Sequence, residues 1–179
     1  MKRRLFVAAD LDDRSRAFVA AAIERLAVAG LGMRYAPREK WHITVAFLGD
    51  VEDDRRCDIE AALASACADR RPFEVVLDHI GAFPSAARPR VVWVGSSTAQ
   101  RGFDGCATAV RSAFQALGFR FDDPAVPHVT VSRLKHRSGP LPVPELPAPV
   151  TLRVDALTLY ESVPAGPTTA YRALFRAAL

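Results

Sequence analysis

The chain has 179 residues, half of them apolar, and a formal net charge of +4. That is enough apolar material for one sizeable folded core, so an intrinsically disordered chain is excluded. Membrane-spanning and secreted classes are not expected either. No apolar run approaches the ~20 residues a span needs, and the basic start MKRRLFVAAD reaches an acidic group too soon for a signal peptide.

In chain order, residues 3–9 are rich in Leu, Phe and Val and read as a strand. Asp12 or Asp13 is placed to cap a helix reaching about residue 29. Residues 31–36 read as a second strand, and Pro37 opens a turn before the apolar run HITVAFLG, a third strand. Asp53 or Asp54 begins an Ala-rich helix to about residue 70. FEVVLDHIGAF and RVVWVGS then read as strand-like runs separated by a proline-containing loop at residues 84–89. Residues 100–117 form the third expected helix, with Gly118 suited to end it. After FRFDDPAVP comes the strand HVTVSRLK. The proline-rich connector SGPLPVPELPAPV has too few free amides for a helix or central strand. VDALTLYESV and TTAYRALFRAAL close the chain as a hairpin. Strands and helices alternate in two similar passes with no linker between them, so a single domain over residues 1–179, made of two interleaved lobes sharing one cleft, is expected.

Two of these strands repeat one pattern. In HITVAFLG and HVTVSRLK a histidine is followed two residues later by a threonine. Residues two apart in a strand share a face, so His42 and Thr44 look one way, with Ile43, Val45 and Phe47 expected on the other. His128 and Thr130 are likewise opposed to Val129 and Val131. One such strand is most simply a core or edge histidine. Two copies, sharing the histidine, the threonine, the next valine and a later leucine, favour a paired site.

The chemistry such a pair suits is phosphodiester cleavage. In-line displacement at phosphorus needs a base for the incoming oxygen and an acid for the departing one. Two imidazoles supply both near neutrality, because their ordinary pKa of about 6.5 lets one be neutral while the other is protonated. The threonine hydroxyls can donate to the non-bridging oxygens as charge builds. No metal or cofactor is called for.

With both motifs in hand, the sequence resembles the 2H phosphoesterase superfamily, and within it the bacterial and archaeal RNA 2′,3′-cyclic phosphodiesterases, also called 2′-5′ RNA ligases. The likeness runs through RLFVAADL, MRYAPREKWHITVAFLGDV, GAFPSAARPRVVWVG, LGFRFDDPAVPHVTVSRLK and LTLYESVPAGPTTAYRALF. It implies an α+β fold of two pseudo-symmetric lobes with largely antiparallel sheets flanking a central cleft and helices outside. It also implies hydrolysis of a terminal 2′,3′-cyclic phosphate to a 2′-phosphate, on RNA or an oligonucleotide. By position in the family's motifs, His42 is the proton donor to the 3′-oxygen, His128 the proton acceptor from water, and Thr44 and Thr130 bind phosphate. Chemistry alone does not order the two histidines. Arg133 matches a frequent basic position after the second motif. Its spacing of five from His128 points it away from the site unless the strand bulges or ends.

The remaining candidates have plainer readings. His79 and His136 have no threonine two residues on and are expected in surface or loop roles. Tyr35, Trp41, Phe83 and Trp93 include possible base-stacking platforms, with core packing the default for each. Arg88 and Arg90 flank Pro89 and can reach an RNA phosphate, or simply stay solvated. Cys57, Cys67 and Cys106 are odd in number and lack metal spacing, which fits a reducing cytoplasm and helix packing. A monomer that does not engage membranes is expected. Rival functions are a nucleotide- or RNA-binding module with little hydrolysis, a metal-dependent phosphodiesterase, and the ligase direction with a 5′-hydroxyl in place of water.

Overall fold

The computed structural model describes residues 2–28, 33–134, 139–166 and 168–179. His136 lies outside them. The order is β1 (Lys2–Asp10), α1 (Asp13–Val28), β2 (His42–Glu52), α2 (Arg56–Ala68), β3 (Phe73–Leu77), β4 (His79–Ser85), β5 (Arg88–Gly95), α3 (Arg101–Ala116), β6 (His128–Arg133), β7 (Val150–Val154), β8 (Ala156–Ala165) and β9 (Thr168–Ala178). Among the described residues the strands form a seven-stranded sheet, ordered β4-β5-β6-β2-β1-β8-β9, and a two-stranded sheet of β3 and β7. All pairings are antiparallel.

The core lies against one face of the large sheet. Leu5, Val7, Ile43, Val45, Val92, Val94, Val129 and Val131 are all but fully buried there. They share one apolar cluster with Phe18 of α1, Leu63 of α2, and Phe103 and Phe114 of α3. The helices therefore cover that face, and the other face carries the histidines. α1 starts where Asp12 accepts a bond from the Ser15 amide at 2.7 Å, one of the orphan donors of the first turn. α3 ends where Gly118 turns left-handed at φ 90° and the Phe119 amide bonds back to the Phe114 carbonyl.

Several expectations are corrected. Residues 33–36 make no strand. Tyr35 forms an isolated bridge to Ser132, and the Ala36 amide bonds to the Val131 carbonyl at 2.8 Å. The helix expected from Asp53 or Asp54 begins with a 3-10 turn, Asp53–Arg55, before α2. FEVVLDHIGAF is two strands in two sheets, broken at Asp78, whose carboxylate accepts bonds from Ser97. The expected loop at 84–89 is a tight hairpin turning at Ala86 and Ala87, with Pro84 and Pro89 paired across it. β7 begins at Val150, the last residue of the connector, and pairs with β3, a partner more than seventy residues earlier that local pattern does not disclose.

The histidine strands share an irregularity. Pairing along β1 and β2 runs Ala8 to Thr44 and then Val7 to Ala46, so Val45 is an extra residue. Pairing along β5 and β6 runs Trp93 to Thr130 and then Val92 to Ser132, so Val131 is extra. Each is a β-bulge three residues after its histidine, and a bulge frees a carbonyl from the ladder. The Val45 carbonyl is taken by Arg111 Nε of α3 at 2.8 Å, and the Val131 carbonyl by the Ala36 amide. Arg111 also donates to the Asp123 carbonyl at 2.6 Å, tying the loop before β6 to β2. Arg111→Ala is expected to cost about 1–3 kcal/mol, because it strands a buried carbonyl. A denaturant titration reads this directly, and an unchanged midpoint would show that the Arg111 bond is not what satisfies the bulge.

Candidate active site

β2 and β6 are neighbours through the single pair Ile43–Val129. Continuing that antiparallel register sets His42 across from Thr130 and Thr44 across from His128, an approximate two-fold about the Ile43–Val129 pair. Both His-x-Thr pairs face away from the helices, since Ile43 and Val129 point into the core.

The two imidazoles are held by one device used twice. His42 Nδ1 lies 2.8 Å from the Lys40 carbonyl and His128 Nδ1 lies 2.8 Å from the Val126 carbonyl, in each case two residues earlier. A carbonyl only accepts, so Nδ1 carries the proton and Nε2 is left as the working nitrogen. His42 Nε2 meets the Thr44 hydroxyl at 3.1 Å.

Aromatic rings wall each histidine. Phe6 and Tyr171 lie 4.9 and 5.3 Å from the His42 ring. Phe83 and Trp93 lie 5.1 and 6.0 Å from the His128 ring. The Trp93 indole lies flat over Gly81, where a Cβ would come within 2.1 Å of it, so this position requires glycine.

Burial lowers the pKa of both imidazoles, and the two are opposed in their other surroundings. For His42, the Lys40 carbonyl and the Asp10 carboxylate push back upward, while His128 lowers it slightly. Asp10 is its direct partner across β1 and β2, with its carboxylate held by the Thr158 and Tyr160 hydroxyls. For His128, the Val126 carbonyl pushes upward and the Arg133 guanidinium lowers it further. The charges beside the two rings thus differ in sign, a carboxylate beside His42 that favours a protonated ring and a guanidinium beside His128 that opposes one.

Arg133 is brought to the site by the bulge. The extra residue at Val131 reverses the alternation, so Arg133, opposite Val91, falls on the face of Thr130 and His128. It is exposed, and its charge also acts on Tyr171. The matching bulge at Val45 has the same effect on Phe47. This residue was expected on the core side, yet it pairs with Phe6 on the histidine face and is 48% exposed.

Of the other candidates, Phe83 and Trp93 stand at the site, and His79 contacts Trp93 at 5.7 Å. Trp41 is buried with its Nε1 donating to the Ala36 carbonyl at 3.0 Å, and Tyr35, bridged to Ser132 through the backbone, is partly buried against the core. Arg88 and Arg90 are exposed near the β4–β5 hairpin. Cys67 and Cys106 are buried and Cys57 is exposed. Phe6, Asp10, Tyr160 and Tyr171 were not singled out from sequence. The only local hint was that Phe6, Ala8 and Asp10 share a face of the first strand. Among the described residues, no three of His, Cys, Asp and Glu converge to hold a metal, and no helix is long and apolar enough to cross a membrane.

Residues 12–93, which include the first His-x-Thr strand, match the family model of LigT-like phosphoesterases. An RNA 2′,3′-cyclic phosphodiesterase of Archaeoglobus fulgidus is 35% identical over 135 residues, 75% of this chain and 74% of the relative. One from Methanothermobacter thermautotrophicus is 30% identical over 184 residues, 98% and 100% of the two chains. Among solved structures, E. coli LigT in complex with 3′-AMP superposes with a TM-score of 0.82 at 28% identity, covering 100% of this chain and 99% of that one.

Proposed function

From the premise that this chain belongs to the LigT-like phosphoesterases of the 2H superfamily, we infer that its cleft hydrolyses RNA 2′,3′-cyclic phosphate by two-histidine acid–base catalysis. The cyclic phosphodiesterase activity follows from relatives matched over most of the chain. The observation that carries the mechanism is the pair of imidazoles on adjacent strands, each held through Nδ1 by a carbonyl two residues earlier so that Nε2 is the working nitrogen.

In this mechanism His128 Nε2 takes a proton from water as the oxygen attacks phosphorus. The bond to the 3′-oxygen breaks, and protonated His42 gives its proton to that oxygen. The products are a 2′-phosphomonoester and a free 3′-hydroxyl. Thr44 and Thr130 donate to the non-bridging oxygens, and Arg133 supplies positive charge to the phosphate. Two features support His42 as the acid: Asp10 beside it favours its protonated form, and Arg133 beside His128 favours the neutral one. All these groups come from one chain. A 5′-hydroxyl entering where water does gives the ligation direction at the same phosphorus.

The test is a pH profile of kcat/KM on a short RNA ending in a 2′,3′-cyclic phosphate, run with and without EDTA. The profile is expected to be bell-shaped and insensitive to chelation. Because burial lowers both imidazoles, the protonated acid is lost earlier as pH rises, and the maximum should lie below the ordinary histidine value of about 6.5. A maximum well above 7, or activity lost to EDTA and restored by a divalent ion, would overturn the mechanism.

A further inference from the structure

The matched histidines and threonines leave open what tells the two ends of the cleft apart. The residues five positions after each histidine do so. The bulges bring both to the histidine face, and they differ in kind: Arg133 in one half, Phe47 in the other. Phe47 is among the few large apolar side chains exposed among the described residues. The Arg4 guanidinium sits 4.9 Å from its ring centre. Arg4 shares the strand face of Phe6 and Asp10, so Phe47 continues the wall of the site. Core packing does not explain a half-exposed phenylalanine whose neighbours Val45 and Ala46 are fully buried.

We propose that Phe47, backed by Arg4, is a stacking platform for a nucleobase upstream of the reacting nucleotide, so that the enzyme grips a single-stranded RNA tail rather than the terminal nucleotide alone. This rests on the two-histidine reading above. There the 3′-oxygen leaves toward His42, so the nucleoside and the chain attached to it lie on the half of the sheet built by β2, β1, β8 and β9, where Phe47 stands. With one residue taken up by the bulge, Phe47 is four pleated steps from His42, about 13 Å along the strand. A base at that distance belongs to an earlier nucleotide. Aromatic stacking accepts any base, since each has a π-face, and the Arg4 cation beside the ring adds attraction for the polyanion. The predicted specificity is for single-stranded length rather than sequence.

The experiment compares kcat/KM for 2′,3′-cyclic AMP with that for a tetranucleotide ending in a 2′,3′-cyclic phosphate. Wild type, Phe47→Ala, Phe47→Trp and Arg4→Ala are measured on both substrates. In Phe47→Ala the loss on the tetranucleotide is expected to exceed the loss on the mononucleotide by about tenfold, mostly through KM. Phe47→Trp should restore the preference, and Arg4→Ala should weaken it partly. Equal losses on both substrates would make Phe47 merely structural and overturn the proposal, as would an unchanged preference in Phe47→Ala. If the wild-type protein hydrolyses neither substrate, the reading on which the proposal rests falls with it.

Discussion

His42→Ala and His128→Ala are each expected to lower kcat/KM on a 2′,3′-cyclic phosphate RNA by roughly 10²–10⁴-fold, the usual contribution of a general acid or base. The two losses should not multiply in the double variant. Acid and base serve one displacement, and groups that act as a unit give grossly non-additive effects. The fold should survive, because both rings lie on the open face of the sheet and only half-buried, while the apolar partners Ile43 and Val129 hold the strands from the other side. Matching thermal midpoints would establish that. Thr44→Val and Thr130→Val should lose less, since each removes one hydrogen-bond donor and no proton-transfer group. Near-normal turnover by either well-folded histidine variant would sink the mechanism.

The product isomer is expected to be all or none. A 2′,3′-cyclic phosphate has two possible leaving oxygens, and in-line geometry sets the attacking water opposite the one that departs. With His42 holding the proton and His128 the water, the bond to the 3′-oxygen breaks, and the product carries a 2′-phosphate with a free 3′-hydroxyl. With a 5′-hydroxyl in place of water, the same displacement must form a 2′-5′ linkage. Phosphorus NMR distinguishes the isomers, and resistance of the product to a 3′-phosphate-specific phosphatase is an independent check. A 3′-phosphate as the main product would mean that the acid faces the 2′-oxygen. The paired-histidine chemistry would survive that result, but the orientation of RNA along the sheet would not, and the placement of an upstream base on Phe47 would fail with it. The asymmetry of Asp10 beside His42 and Arg133 beside His128 is the physical ground for expecting the first outcome.

What the sequence by itself determined is what period-two alternation and local chemistry decide. His42 with Thr44, and His128 with Thr130, each share a strand face because two residues is one pleat repeat. The helices after Asp12 and Asp53 and before Gly118, the closing hairpin and the lack of strand over residues 139–149 are equally local. Family likeness in the two motifs added the α+β fold and the phosphodiesterase activity. What only the tertiary structure decided is whatever depends on pairing between distant segments. That β2 and β6 are neighbours rests on one bridge, Ile43–Val129. That Asp10 stands beside His42 rests on the β1–β2 register. The clearest case is the pair of bulges. Simple alternation sends Phe47 to the core and Arg133 away from the site, and both come to the histidine face instead. An extra residue in a strand is tolerated only where something outside the ladder takes the freed carbonyl. Here Arg111 of α3 takes that of Val45 and the Ala36 amide takes that of Val131. Those partners lie sixty-six and ninety-five residues away along the chain, so no window of sequence around either histidine contains the group that turns its strand.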